Sequence, residues 1–400
     1  MKKYIAIVAI LVFALALRIY YINAYDFSHL EGDAMFYDSM VKQWLETGVY
    51  GYNSTTSNAF VPPGFPIILS LVYYIFGENY FNYLVFQSIL SVGAVFLSYL
   101  ISRMYLEKLF SLFVALLCSI YPSFIYANGL LLTEVLFMFT FLLFIYVFLL
   151  GFNNNNRFHI IASGAILGFC VLIRATPAYL IVLLFAYYLI ISTNKKIVVK
   201  SIVYFMLPFI VVMSPWWIRN YILFDAPVLF ATSGNNPLLY GVHPYLIGVL
   251  ETFDKVYALN PDELTRSEMW KEMAVEKFEE GLVLNTEVYV NWFIFGKINL
   301  MWLKPWVENG TIALFMQNIR IPMHILIVIG GLIGAVFSVI KTIKPIHVLV
   351  IIPIYYTFVH LVYLPLPRYL FPILPFLIIL FAFALQILYK KYERKFGNGQ

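Results

Sequence analysis

The residues best suited to chemistry are a few carboxylates and arginines scattered along a very apolar chain. Asp33 stands in Glu31-Gly32-Asp33, Asp38 follows five residues on, and Glu134 comes just after Asn128 and Thr133. Arg174, Arg219 and Arg368 are far apart in the chain, each at the end of an apolar run. A positioned carboxylate can take a proton from a hydroxyl. Guanidinium forks match the oxygens of a phosphate. As types, these residues make one base and a cationic cradle for a phosphorylated lipid. Each also has a plainer use. Asp33 could be a solvated loop acid, and Glu134 could serve the positive amino end of a helix. Any one arginine could be a snorkelling anchor, and Asp38, in the helix-like run 36–45, reads as a surface residue. The choice depends on which residues share a side of the membrane.

That there is a membrane follows from composition. The 400 residues are 62% hydrophobic and 12% charged, with a mean hydropathy of +0.84, against about 25% charge in soluble domains. Water cannot solvate such a surface. The net charge of +5 calls for no nucleic-acid partner, because Lys and Arg fall in short clusters between apolar runs, the pattern that orients membrane helices. Cys118 and Cys170 both lie inside apolar runs, so neither a disulfide framework nor a CxxC metal site is available. The histidines (His29, His159, His243, His324, His347, His360) are scattered and show no ligand spacing, although a divalent ion on Asp33 and Glu134 stays open. GxGxxG, Walker and GxSxG motifs are absent, which argues against nucleotide-driven chemistry on the inner face.

A span takes about 20 apolar residues. Candidates are 4–24, 80–102, 109–127, 131–150, 158–174, 176–192, 198–218, 320–341, 346–364 and 369–389. The first reads as an uncleaved span, since the apolar run continues past the signal-peptidase-like Ala14-Leu15-Ala16. The apolar segment 63–77 is short and broken by Pro63, Gly64 and Pro66. If it does not cross, the clusters Lys2/Lys3, Arg103/Lys108, Arg157, Lys195/Lys196/Lys200, Lys341/Lys344 and Lys390/Lys391/Arg394/Lys395 all lie inside, as positive loops should. The expected fold is therefore an all-α polytopic membrane protein of about ten spans, with both termini cytoplasmic and 63–77 an interfacial helix. Three parts follow: a membrane module, 1–218, with a first outer loop at 25–79; a large outer loop, 219–319; and C-terminal membrane helices, 320–400. The large loop holds a charged helical stretch at 261–281 and an aromatic amphipathic segment at 288–306 suited to an interface. Asp33, Glu134 and the three arginines all fall on the outer side.

In this order the pieces resemble a GT-C fold glycosyltransferase, close to the dolichyl-phosphate-mannose protein mannosyltransferase and aminoarabinose transferase group. They are Gly32-Asp33 with Tyr37, Pro62-Pro63-Gly64-Phe65-Pro66, Tyr121-Pro122, Thr133-Glu134, Ile173-Arg174 near Pro177, Pro215-Trp216-Trp217-Ile218-Arg219-Asn220, Gly234, Asn235 and Tyr240-Gly241, and Arg368-Tyr369 with Pro372 and Pro375. The resemblance implies a sugar on a polyprenyl phosphate, used at the outer face of the cell membrane, with a glycan, lipid or protein acceptor. It makes Asp33 the catalytic base and Glu134 a second acid, with Arg174, Arg219, Arg368, Tyr37 and Asn220 around the donor. The protein mannosyltransferases carry an acid directly after the first-loop Asp, and Ala34 stands here. That departure argues against a protein acceptor. Polyprenyl phosphate leaves readily without a proton, so one carboxylate is enough and in-line attack inverts the anomeric centre. The rival is a lipid-linked sugar flippase or transporter, which would favour repeated halves and polar groups at mid-membrane.

Overall fold

The structure, a computed structural model, describes residues 4–24, 30–259, 261–308, 314–341 and 346–396. Lys2, Lys3, His29 and Lys344 lie outside the described residues. Among those described the fold is all helical. The first half runs α1 (Ile5–Ala24), α2 (Asp33–Thr47), α3 (Gly64–Phe76), α4 (Tyr80–Ser102), α5 (Lys108–Ile120), α6 (Pro122–Tyr126), α7 (Glu134–Asn154), α8 (Arg157–Ile173), α9 (Leu180–Ile191) and α10 (Lys195–Phe224). The second continues with α11 (Asn236–Val242), α12 (Val249–Ala258), α13 (Glu263–Leu284), α14 (Thr286–Asn291), α15 (Lys297–Trp302), α16 (Leu314–Ile340), α17 (His347–Val362) and α18 (Leu374–Phe396).

Six of the described helices are long and apolar enough to cross a membrane, and the bent pair α5–α6 makes a seventh. The expected count of ten is reached only by adding α8, α9 and α17, which are 17, 12 and 16 residues long and short for a full span. α3, at 13 residues, is the helix expected to lie along the interface. The bend of 53° at Tyr121-Pro122 has a local cause: proline disfavours helical backbone in the residue before it, and Tyr121 is extended at ψ 123°. The break strands the last carbonyls of α5. Arg18 of α1, fully buried, takes them up, donating to Ser119 O at 3.2 Å, Cys118 O at 3.4 Å and Ser91 Oγ at 2.7 Å. Arg18 is a charge inside the first span that its sequence context does not single out.

One hydrophobic core joins the two membrane parts: α18 packs on α16 and α5, α8 on α7 and α10, and α4 on α5 and α7. The large loop builds a smaller core from Leu239, Val242, Val249, Phe253, Val256, Trp270 and Ala274. α13 fills the expected charged stretch, and its buried Ser267, Trp270, Ala274 and Gly281 share one helical face. The Glu263 carboxylate ties this loop to the first one, accepting from Ala59 N–H at 3.1 Å and from the Thr232 hydroxyl. The amphipathic segment expected at 288–306 is helical as far as Trp302, with a π-turn inside it. α14 and α15 meet through a π-turn at Trp292–Gly296, which turns Trp292 and Lys297 inward, both buried.

Candidate active site

Three helix ends and one short turn converge at the same spot. Asp33 is the first residue of α2, preceded by Gly32 at φ 54°, left-handed backbone that glycine adopts without strain. Glu134 is the first residue of α7, and Arg174 caps the end of α8. Arg368 comes from the turn Pro367–Tyr369 between α17 and α18. Both acids thus occupy amino ends of helices, where a negative charge is favoured.

The four side chains touch. Arg174 donates to Glu134 Oε1 at 3.0 Å. Arg368 donates to Asp33 Oδ2 at 3.4 Å, and its Nε lies 4.0 Å from Glu134 Oε1. The acids differ in access: the Asp33 side chain is 49% exposed and that of Glu134 is 3% exposed. Of the two, Asp33 can meet an incoming hydroxyl, while Glu134 holds the arginines from beneath. The ring of Tyr369 lies 5.3 Å from the Arg174 guanidinium and 5.4 Å from that of Arg368, with His360 stacked 4.7 Å away. This aromatic floor supports both cations.

Tyr37, one turn after Asp33 on α2, is buried edge-on against Phe65 and Tyr52. Burial first, and then the Asp33 carboxylate, push its phenol well above the ordinary value, so it stays a donor. Tyr52 was not found from the sequence, yet its hydroxyl donates to Asp33 Oδ1 at 2.9 Å. Burial and Asp33 raise it too. Its setting, Tyr50-Gly51-Tyr52, carries no signal that marks it among the tyrosines. Asp33 therefore has a partner on each oxygen.

Arg219 and Asn220 stand apart from this cluster. The Arg219 guanidinium lies over Trp216 at 4.9 Å and Tyr50 at 5.1 Å, and it donates to Asn220 Oδ1 at 2.9 Å. Asn220, fully buried, gives its amide to Val228 O. Among the described residues neither forms an ion pair with Asp33 or Glu134. Asp38 is no free surface acid: it holds Lys42 at 2.8 Å and the Tyr73 hydroxyl at 2.5 Å, locking α2 to α3. A resident divalent ion does not fit the acids here, because Arg368 already lies between Asp33 and Glu134 and would repel it. Nor do three His, Cys, Asp or Glu side chains gather as a metal site among the described residues.

This architecture is the GT-C fold of membrane glycosyltransferases. The chain is similar to the oligosaccharyltransferase of Archaeoglobus fulgidus, with a TM-score of 0.61 at 16% identity, covering 99% of this chain and 52% of that one. A second structure of that enzyme, tethered to an acceptor peptide containing the NVT sequon, gives the same TM-score and identity over 98% and 51%. The chain thus spans about half the length of the oligosaccharyltransferase it matches. ArnT from Cupriavidus metallidurans, bound to undecaprenyl phosphate, aligns with a TM-score of 0.46 at 13% identity over 95% of this chain and 78% of that one. Residues 61–218 match the family model of dolichyl-phosphate-mannose-protein mannosyltransferase. No curated protein matches the chain by sequence. The resemblance read from the motifs is borne out by the family model and by the fold.

Proposed function

We propose that the chain is a glycosyltransferase that moves a sugar from a polyprenyl-phosphate donor to an acceptor hydroxyl at the outer face of the cell membrane. The observation that carries this reading is Arg368, shared between an exposed carboxylate and a buried one. A donor phosphate competes with Asp33 for that guanidinium. As the phosphate takes it, Oδ2 of Asp33 is released toward the acceptor. Asp33 then accepts the hydroxyl proton while the acceptor oxygen bonds to the anomeric carbon. The bond from that carbon to the phosphate oxygen breaks, its electron pair stays on the phosphate, and Arg368 and Arg174 stabilise the charge. Attack from the face opposite the phosphate inverts the centre. Glu134 keeps the two arginines in place when the donor is absent. The family match and the fold support a transferase of this class.

The test is Asp33→Asn, assayed with a radiolabelled polyprenyl-phosphate sugar that the wild type uses. Turnover is expected to fall by about 10²–10⁴, with polyprenyl-phosphate binding kept or tightened, since the competing carboxylate charge is gone. Near-normal turnover would sink the mechanism. A wild-type protein that moves the intact donor across a liposome without transferring its sugar would make the chain a flippase.

A further inference from the structure

Lys297 opens α15 and is fully buried, at 0% exposure. Its Nζ donates to three backbone carbonyls, Leu361 O at 2.6 Å, Tyr363 O at 3.1 Å and Val362 O at 3.3 Å. All three carbonyls lie within hydrogen-bond reach of this nitrogen, which has two hydrogens to give when neutral and three when protonated. The Phe293 ring lies 3.9 Å from the same nitrogen, and no ion pair among the described residues includes Lys297. These carbonyls belong to the end of α17, where the helix runs out of its own donors and its dipole is negative. A buried lysine with no counter-ion is costly, so the place where it is spent is informative.

From Tyr363 the chain runs five residues to Arg368. α15 packs both on α17 and on the turn that carries Arg368. Gly241 presses on the same carbonyls from α11: a Cβ there would lie 2.6 Å from Tyr363 O and 3.1 Å from Val362 O. The Gly241 carbonyl is itself held by the Trp292 indole N–H at 2.9 Å. The large outer loop thus grips the segment 361–363 from two sides, at the foot of the active-site turn.

We infer that Lys297 is a positioning residue for Arg368: by fixing the end of α17 it sets where that guanidinium stands between Asp33 and Glu134. The inference rests on the proposed donor site, so its experiment carries one readout that does not depend on that site. Wild type, Lys297→Met and Gly241→Ala are purified in lipid nanodiscs, and amide exchange and binding of polyprenyl phosphate are measured. Both variants are expected to exchange at least tenfold faster over 361–369, with α4 and α7 unchanged, and to bind polyprenyl phosphate about tenfold more weakly. In an Arg368→Ala background Lys297→Met should add no further loss of binding, because the loss passes through Arg368. Normal exchange over 361–369 in both variants overturns the clamp. Faster exchange with undiminished binding, or a loss that adds to that of Arg368→Ala, overturns the positioning role. A wild type that binds no polyprenyl phosphate overturns the donor reading instead, and the exchange result then decides the clamp alone. Should Lys297→Met fail to fold, Gly241→Ala, alone and in the Arg368→Ala background, is read against the same outcomes.

Discussion

Asp33 and Glu134 are both acids at helix starts, yet their surroundings give them separate work. Glu134 is buried and paired with Arg174, so its charge is spent on holding cations. Asp33 is half exposed with a tyrosine on one oxygen and an arginine on the other. Glu31, in the same loop, shares none of those contacts, and Glu31→Gln should leave turnover within a few-fold of wild type where Asp33→Asn does not. The arginines separate in the same way. Arg368→Ala should weaken the lipid donor by about 10- to 150-fold, the loss of a charge-assisted contact worth roughly 1.5–3 kcal/mol. Arg219→Ala should do much less, since that guanidinium already rests on Trp216 and Tyr50. Equal losses of donor affinity in the two variants would show that Arg219 also reaches the phosphate. Asp33, Glu134, Arg174 and Arg368 could be picked from the sequence because charges at the ends of apolar runs are few. Tyr52 could not: the chain has 31 tyrosines, and nothing local marks the one whose hydroxyl meets Asp33.

At the level of elements, apolar runs gave helix positions well and helix interruptions poorly. α4 and α7 follow the hydropathy, but the π-turn before α15 is set by tertiary packing of Trp292, which no period reveals. Lys297 lies within the segment read as amphipathic and is buried. Burial lowers it to about 7, whereas a lysine freed into water titrates near about 10.4. Between those values the released end of α17 would hold a proton that the docked end lacks, so raising the pH through this window strengthens docking. His347, Tyr355, Tyr356 and His360 on α17 and Arg368 and Tyr369 on the turn are the other ionisable groups on these two elements, which pack against α15. Amide protection over 361–369, corrected for intrinsic exchange, should therefore rise from pH 7 to pH 9 by up to about tenfold per unit. In Lys297→Met it should be flat. A rise that survives in the variant would assign the effect to another group, and a fall would mean that the carbonyls hold the lysine charged.

For the whole molecule the sequence reading rests on alternation: each basic loop inside, each long polar loop outside. Cysteines placed at Ser57 and Glu279 should label with an impermeant thiol reagent from outside intact cells, and one at Asn154 should not. The native Cys118 and Cys170 are both buried, which keeps the background low. Labelling at Asn154 from outside would invert the topology, because alternation leaves no local repair. The same charges leave the number of spans open, since α8, α9 and α17 are apolar yet short. Their length is a matter of packing against α7, α10 and α18, and hydropathy does not measure that.

Arg18 gives the molecule a clock. Its partners at Ser91, Cys118 and Ser119 lie 73, 100 and 101 residues downstream. At a synthesis rate of roughly 5–20 residues per second, the first helix waits about 5–20 s before those groups leave the ribosome. During that interval the guanidinium faces a bilayer in which it costs about 2.5–3.5 kcal/mol at mid-depth, so α1 must sit with Arg18 drawn toward a headgroup layer. The groups that take up this guanidinium arrive only with α4 and α5. Nascent chains arrested before residue 118 should therefore yield α1 to extraction far more readily than those arrested after α6, and equal resistance in both would show that the first helix settles alone.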